Sequence, residues 1–204
     1  MSETVDLKAG FADPVTSAQD VFRQILEALS RPGRIGRLSS DLEAPDPLDL
    51  ATAAICLSLV DVDTPLWIAP EIRSPEAEAF LKFHCGCPII QNAAEAQFAI
   101  VLGDRLPELG AFNRGDPAYP ETSTTVIVQV ARLDENPTDA SQQTLRLSGP
   151  GIEAEHVFSV SGLRKFTDEW RDNCALFPCG VDLVLTAGDK IVGLPRTVAI
   201  TETA

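Results

Sequence analysis

Short β-branched runs that alternate with proline-marked helix starts constrain this chain more than any other feature. Asp46-Pro47 and Ser74-Pro75 each place a capping side chain before a proline whose fixed φ suits a first helical turn, and an earlier element begins at Asp13-Pro14. Residues 66–69, 88–91, 98–102 and 124–130 lie between and after these starts and have strand character, most clearly in Thr125-Val126-Ile127-Val128. From residue 145 onward strands dominate (145–147, 157–160, 181–185, 190–192 and 197–200), interrupted by one amphipathic helix over 163–173. Ala187-Gly188-Asp189 reads as a hairpin turn between two of them. The pattern predicts an α/β fold: a single layered domain over 1–204, with a mixed sheet carrying helices on its faces and an antiparallel portion toward the C-terminus.

The first helix is expected to be capped by a box of Thr16 and Gln19 and to bury Val21, Phe22, Ile25, Leu26 and Leu29 as one stripe. Arg31-Pro32-Gly33 stops it, because proline disfavours helical geometry in the residue before it. Asp46 is expected to cap a second helix running to about Val60, apolar on most sides and so sandwiched between layers. Ser74 caps a third, ending near Cys85, with Ala79, Phe80 and Phe83 as its core side. Residues 113–123 and 134–143 read as loops; the first carries Arg114, Asp116 and Tyr119 and is the better candidate for binding.

Composition excludes several function classes. With 16 Lys plus Arg against 30 Asp plus Glu, the net charge is −14, which opposes a nucleic-acid or anionic-membrane partner. No apolar run approaches the ~18–20 residues of a bilayer span, and the acidic N-terminus lacks the layout of a signal peptide, so the expected location is cytoplasmic. Five cysteines, an odd number, fit free or buried thiols better than a disulfide frame.

Strong catalytic signatures are missing from the sequence. It has no glycine-rich phosphate loop ending in Lys-Ser/Thr, no nucleophile elbow and no paired-histidine zinc helix, and its histidines are His84 and His156. His84-Cys85-Gly86-Cys87 has metal-binding side chains at an untypical spacing and reads as a helix-end turn with buried thiols, so no metal is expected. Leu147-Ser148-Gly149-Pro150-Gly151 has the look of a phosphate cradle, but its proline removes a donor and a strand follows, so it reads as a strand-to-strand turn. None of Lys8, Lys82, Lys165 and Lys190 sits in a turn able to hold a pyridoxal phosphate, and no cofactor is expected. Cys179 has no nearby base to make it a nucleophile. Arg196 beside Thr197 offers a planar fork and a hydroxyl suited to phosphate or carboxylate, though thirty acidic residues favour a carboxylate of the chain itself as the partner of Arg196.

Several of these stretches together carry a resemblance. Gly10-Phe11-Ala12-Asp13-Pro14-Val15, Ser30-Arg31-Pro32-Gly33, Leu147-Ser148-Gly149-Pro150-Gly151-Ile152, Phe177-Pro178-Cys179-Gly180-Val181-Asp182 and Gly193-Leu194-Pro195-Arg196-Thr197, in that order, resemble the PhnH family of bacterial carbon–phosphorus lyase subunits. The resemblance implies the fold of the large domain of pyridoxal-phosphate-dependent transferases without the cofactor or its lysine. It also implies a homodimer and a place beside PhnG, PhnI and PhnJ. With PhnG, PhnI and PhnL, such a subunit takes part in coupling ATP to an alkylphosphonate, displacing adenine; PhnJ later breaks the carbon–phosphorus bond. On this reading Pro32, Gly33, Phe177, Pro178 and Arg196 are anchors of a docking surface. The alternative makes Arg196, Thr197 and Asp182 a nucleotide- or phosphonate-binding group at a shared site, and a small-molecule module unrelated to phosphonates is the third.

Overall fold

The computed structural model describes residues 7–139 and 142–203; the N-terminal hexapeptide and two residues of the expected 134–143 loop lie outside them. Two sheets organise the chain. The larger has seven strands in the order β1-β10-β9-β5-β4-β2-β3: β1 (Gly36–Arg37), β2 (Leu66–Ile68), β3 (Ile89–Ile90), β4 (Phe98–Leu102), β5 (Thr125–Gln129), β9 (Asp182–Ala187) and β10 (Lys190–Leu194). From β9 to β3 all neighbours run parallel, and β10 and β1 add antiparallel at the other edge. The smaller, fully antiparallel sheet has the order β11-β7-β8-β6, with β6 (Arg132–Asp134), β7 (Gln143–Ser148), β8 (His156–Ser161) and β11 (Ala199–Thr203). The mixed α/β layering matches expectation, but the strands expected in one sheet divide between two.

Side-chain patterning explains the division. Ala99, Ile100 and Val101 of β4 and Val126, Ile127 and Val128 of β5 are buried in succession, which requires cover on both faces. In β7 only Leu145 and Leu147 are buried while Thr144 and Arg146 are half-buried and Ser148 exposed, although Phe158, Ser159 and Val160 of β8 are buried in succession, so the smaller sheet is covered unevenly. Its cover includes α4 (Thr167–Ala175), which packs against β11. Trp170 of α4 is buried and donates its indole N–H to the Val198 carbonyl at 2.7 Å.

Helix α1 (Pro14–Ser30) packs on β10 and on α2 (Leu50–Leu59), which in turn meets α3 (Pro75–Cys85). Three helix readings need correction. The cap of α1 is Asp13, whose carboxylate accepts from the Thr16 N–H at 3.2 Å; the helix thus starts one turn before the expected box, and Thr16 lies inside its first turn. Asp46-Pro47 is a cis peptide upstream of α2, whose N-cap position is Asp49. On α1 the buried positions are Val21, Ile25 and Ala28, whereas Phe22 and Leu26 are exposed; on α3 Phe83 is exposed and Ala77, Phe80 and Leu81 are buried. Each helix meets its neighbours along a face narrower than its apolar stripe. The third start was read correctly: Ser74 Oγ accepts from Ala77 N–H at 3.0 Å, and Gly86 closes α3 in the left-handed region at φ 69°. The amphipathic helix over 163–173 starts later, at Thr167, since Arg164 is drawn to the Gly103 carbonyl. Among the described residues no helix is long and apolar enough to cross a membrane.

Candidate functional site

Strand β10 ends at Leu194, and the chain turns through Pro195–Val198 into β11, the Val198 N–H closing on the Pro195 carbonyl at 3.0 Å. This turn aims Arg196 at the first residue of β9. Its Nε and Nη2 grip Asp182 at 3.0 and 2.6 Å, and its backbone N–H adds a third bond to the same carboxylate at 2.7 Å. Nη2 also donates to Ser123 Oγ at 2.5 Å, and Nη1 to the carbonyls of Pro120 and Pro178 at 3.3 and 3.2 Å. A guanidinium has five N–H donors, and here all five are engaged within the chain. With 12% of its side chain exposed, Arg196 is a brace joining the 113–123 loop, the Pro178 turn and the edge of β9. Thr197 is exposed and lies beside this network, outside it.

The brace holds two aromatic residues up to solvent. Tyr119 and Phe177 each precede a proline whose carbonyl Arg196 holds, and they are 63% and 64% exposed. Phe177 follows α4 directly. Its turn is clamped from below by Asn173, which donates to the Val181 carbonyl at 2.9 Å and accepts from the Val181 N–H at 2.8 Å. Gly180 completes the clamp, donating to the Arg114 carbonyl at 2.7 Å from a left-handed φ of 114°. Phe177 and Pro178 therefore crown a rigid, exposed turn. Pro32 and Gly33, the other expected docking residues, are buried, and their turn offers only its flanking Arg31 and Arg34 to the surface.

The remaining candidates resolve into structural roles. His84 Nε2 lies 3.0 Å from the Lys8 carbonyl and its ring packs between Phe80 and Phe83. Cys56, Cys85 and Cys87 are buried free thiols, Cys174 and Cys179 partly exposed ones. Burial pushes the Cys56 thiol up, and pushes Cys174 up to about 11. A hydrogen bond from Cys85 lowers Cys87 and raises Cys85 itself. Among the described residues, no three His, Cys, Asp or Glu side chains come together as metal ligands.

Sequence reasoning missed a second brace. Arg164 donates to the carbonyls of Leu106, Lys165 and Pro107 and forks onto both oxygens of Glu169, at 2.7 and 3.0 Å. This pairing, with the Leu109 N–H, holds the Glu169 carboxyl below its ordinary range. A basic residue five positions before an acidic one across a helix start was the only local signal, and it is a common one.

A mixed α/β layer of two sheets, with braced turns at its surface, is the class of protein that fold and site define. The profile of the family described as "Bacterial phosphonate metabolism protein (PhnH)" matches residues 9–201, and the chain belongs to that family. It is 41% identical over 189 residues to "Alpha-D-ribose 1-methylphosphonate 5-triphosphate synthase subunit PhnH" of Rhizobium meliloti (strain 1021), covering 92% of each chain. To the "Putative C-P lyase subunit protein HtxG" of Stutzerimonas stutzeri it is 33% identical over 190 residues, covering 89% of this chain and 85% of the other. A role in the carbon–phosphorus lyase pathway follows from this membership.

Proposed function

We propose that this chain is an accessory subunit of the carbon–phosphorus lyase assembly, acting with PhnG, PhnI and PhnL where an alkylphosphonate is coupled to ATP to give α-D-ribose 1-alkylphosphonate 5-triphosphate. The observation that carries this reading is the Phe177 turn: an aromatic side chain 64% exposed on a backbone braced by Arg196 and Asn173. Presenting a large apolar group to water on a rigid platform suits a hot spot of protein association, because little entropy is lost when a partner covers it. The relatives' own names, both of which call them subunits, support the same reading. So does the run of parallel strands from β9 to β3, which is compatible with the large domain of a pyridoxal-phosphate transferase retained as a scaffold in one domain. Lys190, bonded to the Leu133 carbonyl and Asp134, is occupied in that scaffold.

A homodimer is part of the proposal. Val15, Phe22 and Leu26 lie along one exposed line of α1, the spacing at which two such helices can pack in register around a twofold axis. The second reading, in which Arg196, Asp182 and Thr197 bind ligand, would require Arg196 to exchange bonds it already makes. Co-expression with PhnG, PhnI and PhnJ tests the leading proposal. The wild-type chain should co-elute with them, and F177A should reduce recovery at least tenfold while keeping the wild-type melting temperature. Co-elution of F177A at wild-type yield rejects docking through this turn. Intact assembly with lost adenine release in R196A would favour the second reading.

A further inference from the structure

The resemblance motifs at residues 30–33 and 147–152, far apart in sequence, meet in space. Gly33, at φ 82°, abuts Leu147 and His156, and an added Cβ would stand 2.5 Å from Leu147 Cδ1 and 2.8 Å from His156 Cδ2. Gly151, at φ 81°, lies against the Ser30 carbonyl and 3.0 Å, by the same measure, from Pro32 Cδ. Between the end of α1 and the β7–β8 turn this contact leaves an open cleft of about 440 Å³, within the size range of small-molecule sites. Arg31 and Arg34 stand on one side of it and Ile152, Glu153, Glu155 and His156 on the other.

Spent and unspent donors distinguish this place from the Arg196 brace. Arg31 and Arg34 share a single carboxylate, Glu27, at 3.1 and 3.8 Å, and both guanidiniums are more than half exposed. Exposed pairs of this kind contribute little and exchange readily for a better-placed anion. Glu155 is already paired with Arg146, so its charge is offset. The carbonyl end of α1 and Glu153 at the rim both add negative charge, so an anion would be held here by the forked donors of the two arginines and not by a net positive field. His156 adds a second, independent mark: its Nε2 is a buried side-chain atom without a hydrogen-bond partner. Such an atom is destabilising until something satisfies it.

We infer that this cleft binds a tetrahedral oxyanion of the phosphate or phosphonate type, with Arg31 and Arg34 as its forked donors and His156 turning outward to complete the set. The phosphonate-pathway reading enters only through the choice of probes. Glu153, exposed at the rim, opposes the bare anion and limits its affinity. Calorimetric titration of the full purified chain at low salt with inorganic phosphate, methylphosphonate and tripolyphosphate tests this. Saturable binding is expected with at least one probe, weakened tenfold or more in R31A/R34A, unchanged in R23A and tightened about twofold in E153Q. Which probe binds tightest identifies the source of the group. Followed by NMR instead of heat, titration of the wild-type protein with the same probes should shift the His156 ring and Ile152 amide signals. Absence of saturable binding, equal binding by R31A/R34A, or shifts that bypass His156 and Ile152 would overturn the inference. Because the titration uses the isolated chain, such a failure leaves docking through Phe177 to be judged by co-elution alone.

Discussion

Arginine separates into braces and reserves in this chain, and the difference is countable in donors. Arg196 and Arg164 have every N–H engaged; Arg31 and Arg34 share one carboxylate. Removing the Arg196 side chain leaves Asp182 with its backbone N–H donor alone and takes a donor from Ser123 Oγ and the Pro120 and Pro178 carbonyls, so R196A should lower unfolding stability by about 3 kcal/mol in urea titration. R196K should recover less than half of that, since an ammonium cannot fork onto a carboxylate. The Arg164–Glu169 pair makes stability depend on pH. Glu169 titrates below its ordinary value of 4.5 when folded, so its contribution is complete above that value and is lost as pH falls through the folded pKa. The acid limb of the stability curve should therefore be shallower in E169Q than in wild type. Neither brace was legible beforehand in full: Arg196 was singled out with Asp182, but Ser123, 73 positions away, was not, because no local pattern encodes which distant carbonyls a guanidinium will reach.

Elements were legible where their signals are local. The Ser74 cap, the Gly188–Asp189 hairpin turn and the β-branched run of β5 each depend on neighbours in sequence and were read within a residue or two. What periodicity cannot report is how wide a partner's face will be. It placed Phe22 and Leu26 of α1 inside, whereas β10 and α2 cover only the Val21, Ile25 and Ala28 line. β1 (Gly36-Arg37) and β6 (Arg132-Leu133-Asp134) went unread because they carry at most one apolar residue, whereas the equally short β2 and β3 are apolar throughout. The exposed line on α1 gives an element-scale prediction: F22D/L26D should convert a dimer to a monomer in sedimentation, with the circular dichroism spectrum unchanged. A monomeric wild type would remove α1 as the contact between copies. At α4, W170F keeps most of the buried ring but leaves the Val198 carbonyl unpaired by nitrogen, and should cost about 1–2 kcal/mol in the same urea titration.

For the molecule as a whole, the decisive feature is the place where the two sheets meet. Gly33 donates to the Gly193 carbonyl at 3.3 Å, and an added Cβ at Gly193 would stand 2.5 Å from the Ala28 carbonyl oxygen. At Gly149 the same atom would stand 3.0 Å from the Thr197 carbonyl oxygen. Sequence reading assigned Gly33 and Gly149 to turns and stopped there, because close approach between segments far apart in the chain leaves no trace in either segment alone. G33A forces a methyl group into a left-handed position against Leu147 and His156, and should cost about 2 kcal/mol or more and weaken oxyanion binding along with stability. A seam of this kind has no slack to absorb sliding. Amide protons of β7 and β10 should accordingly exchange with deuterium at a common, global rate, so that whatever loosens the small sheet is felt at once in the large one.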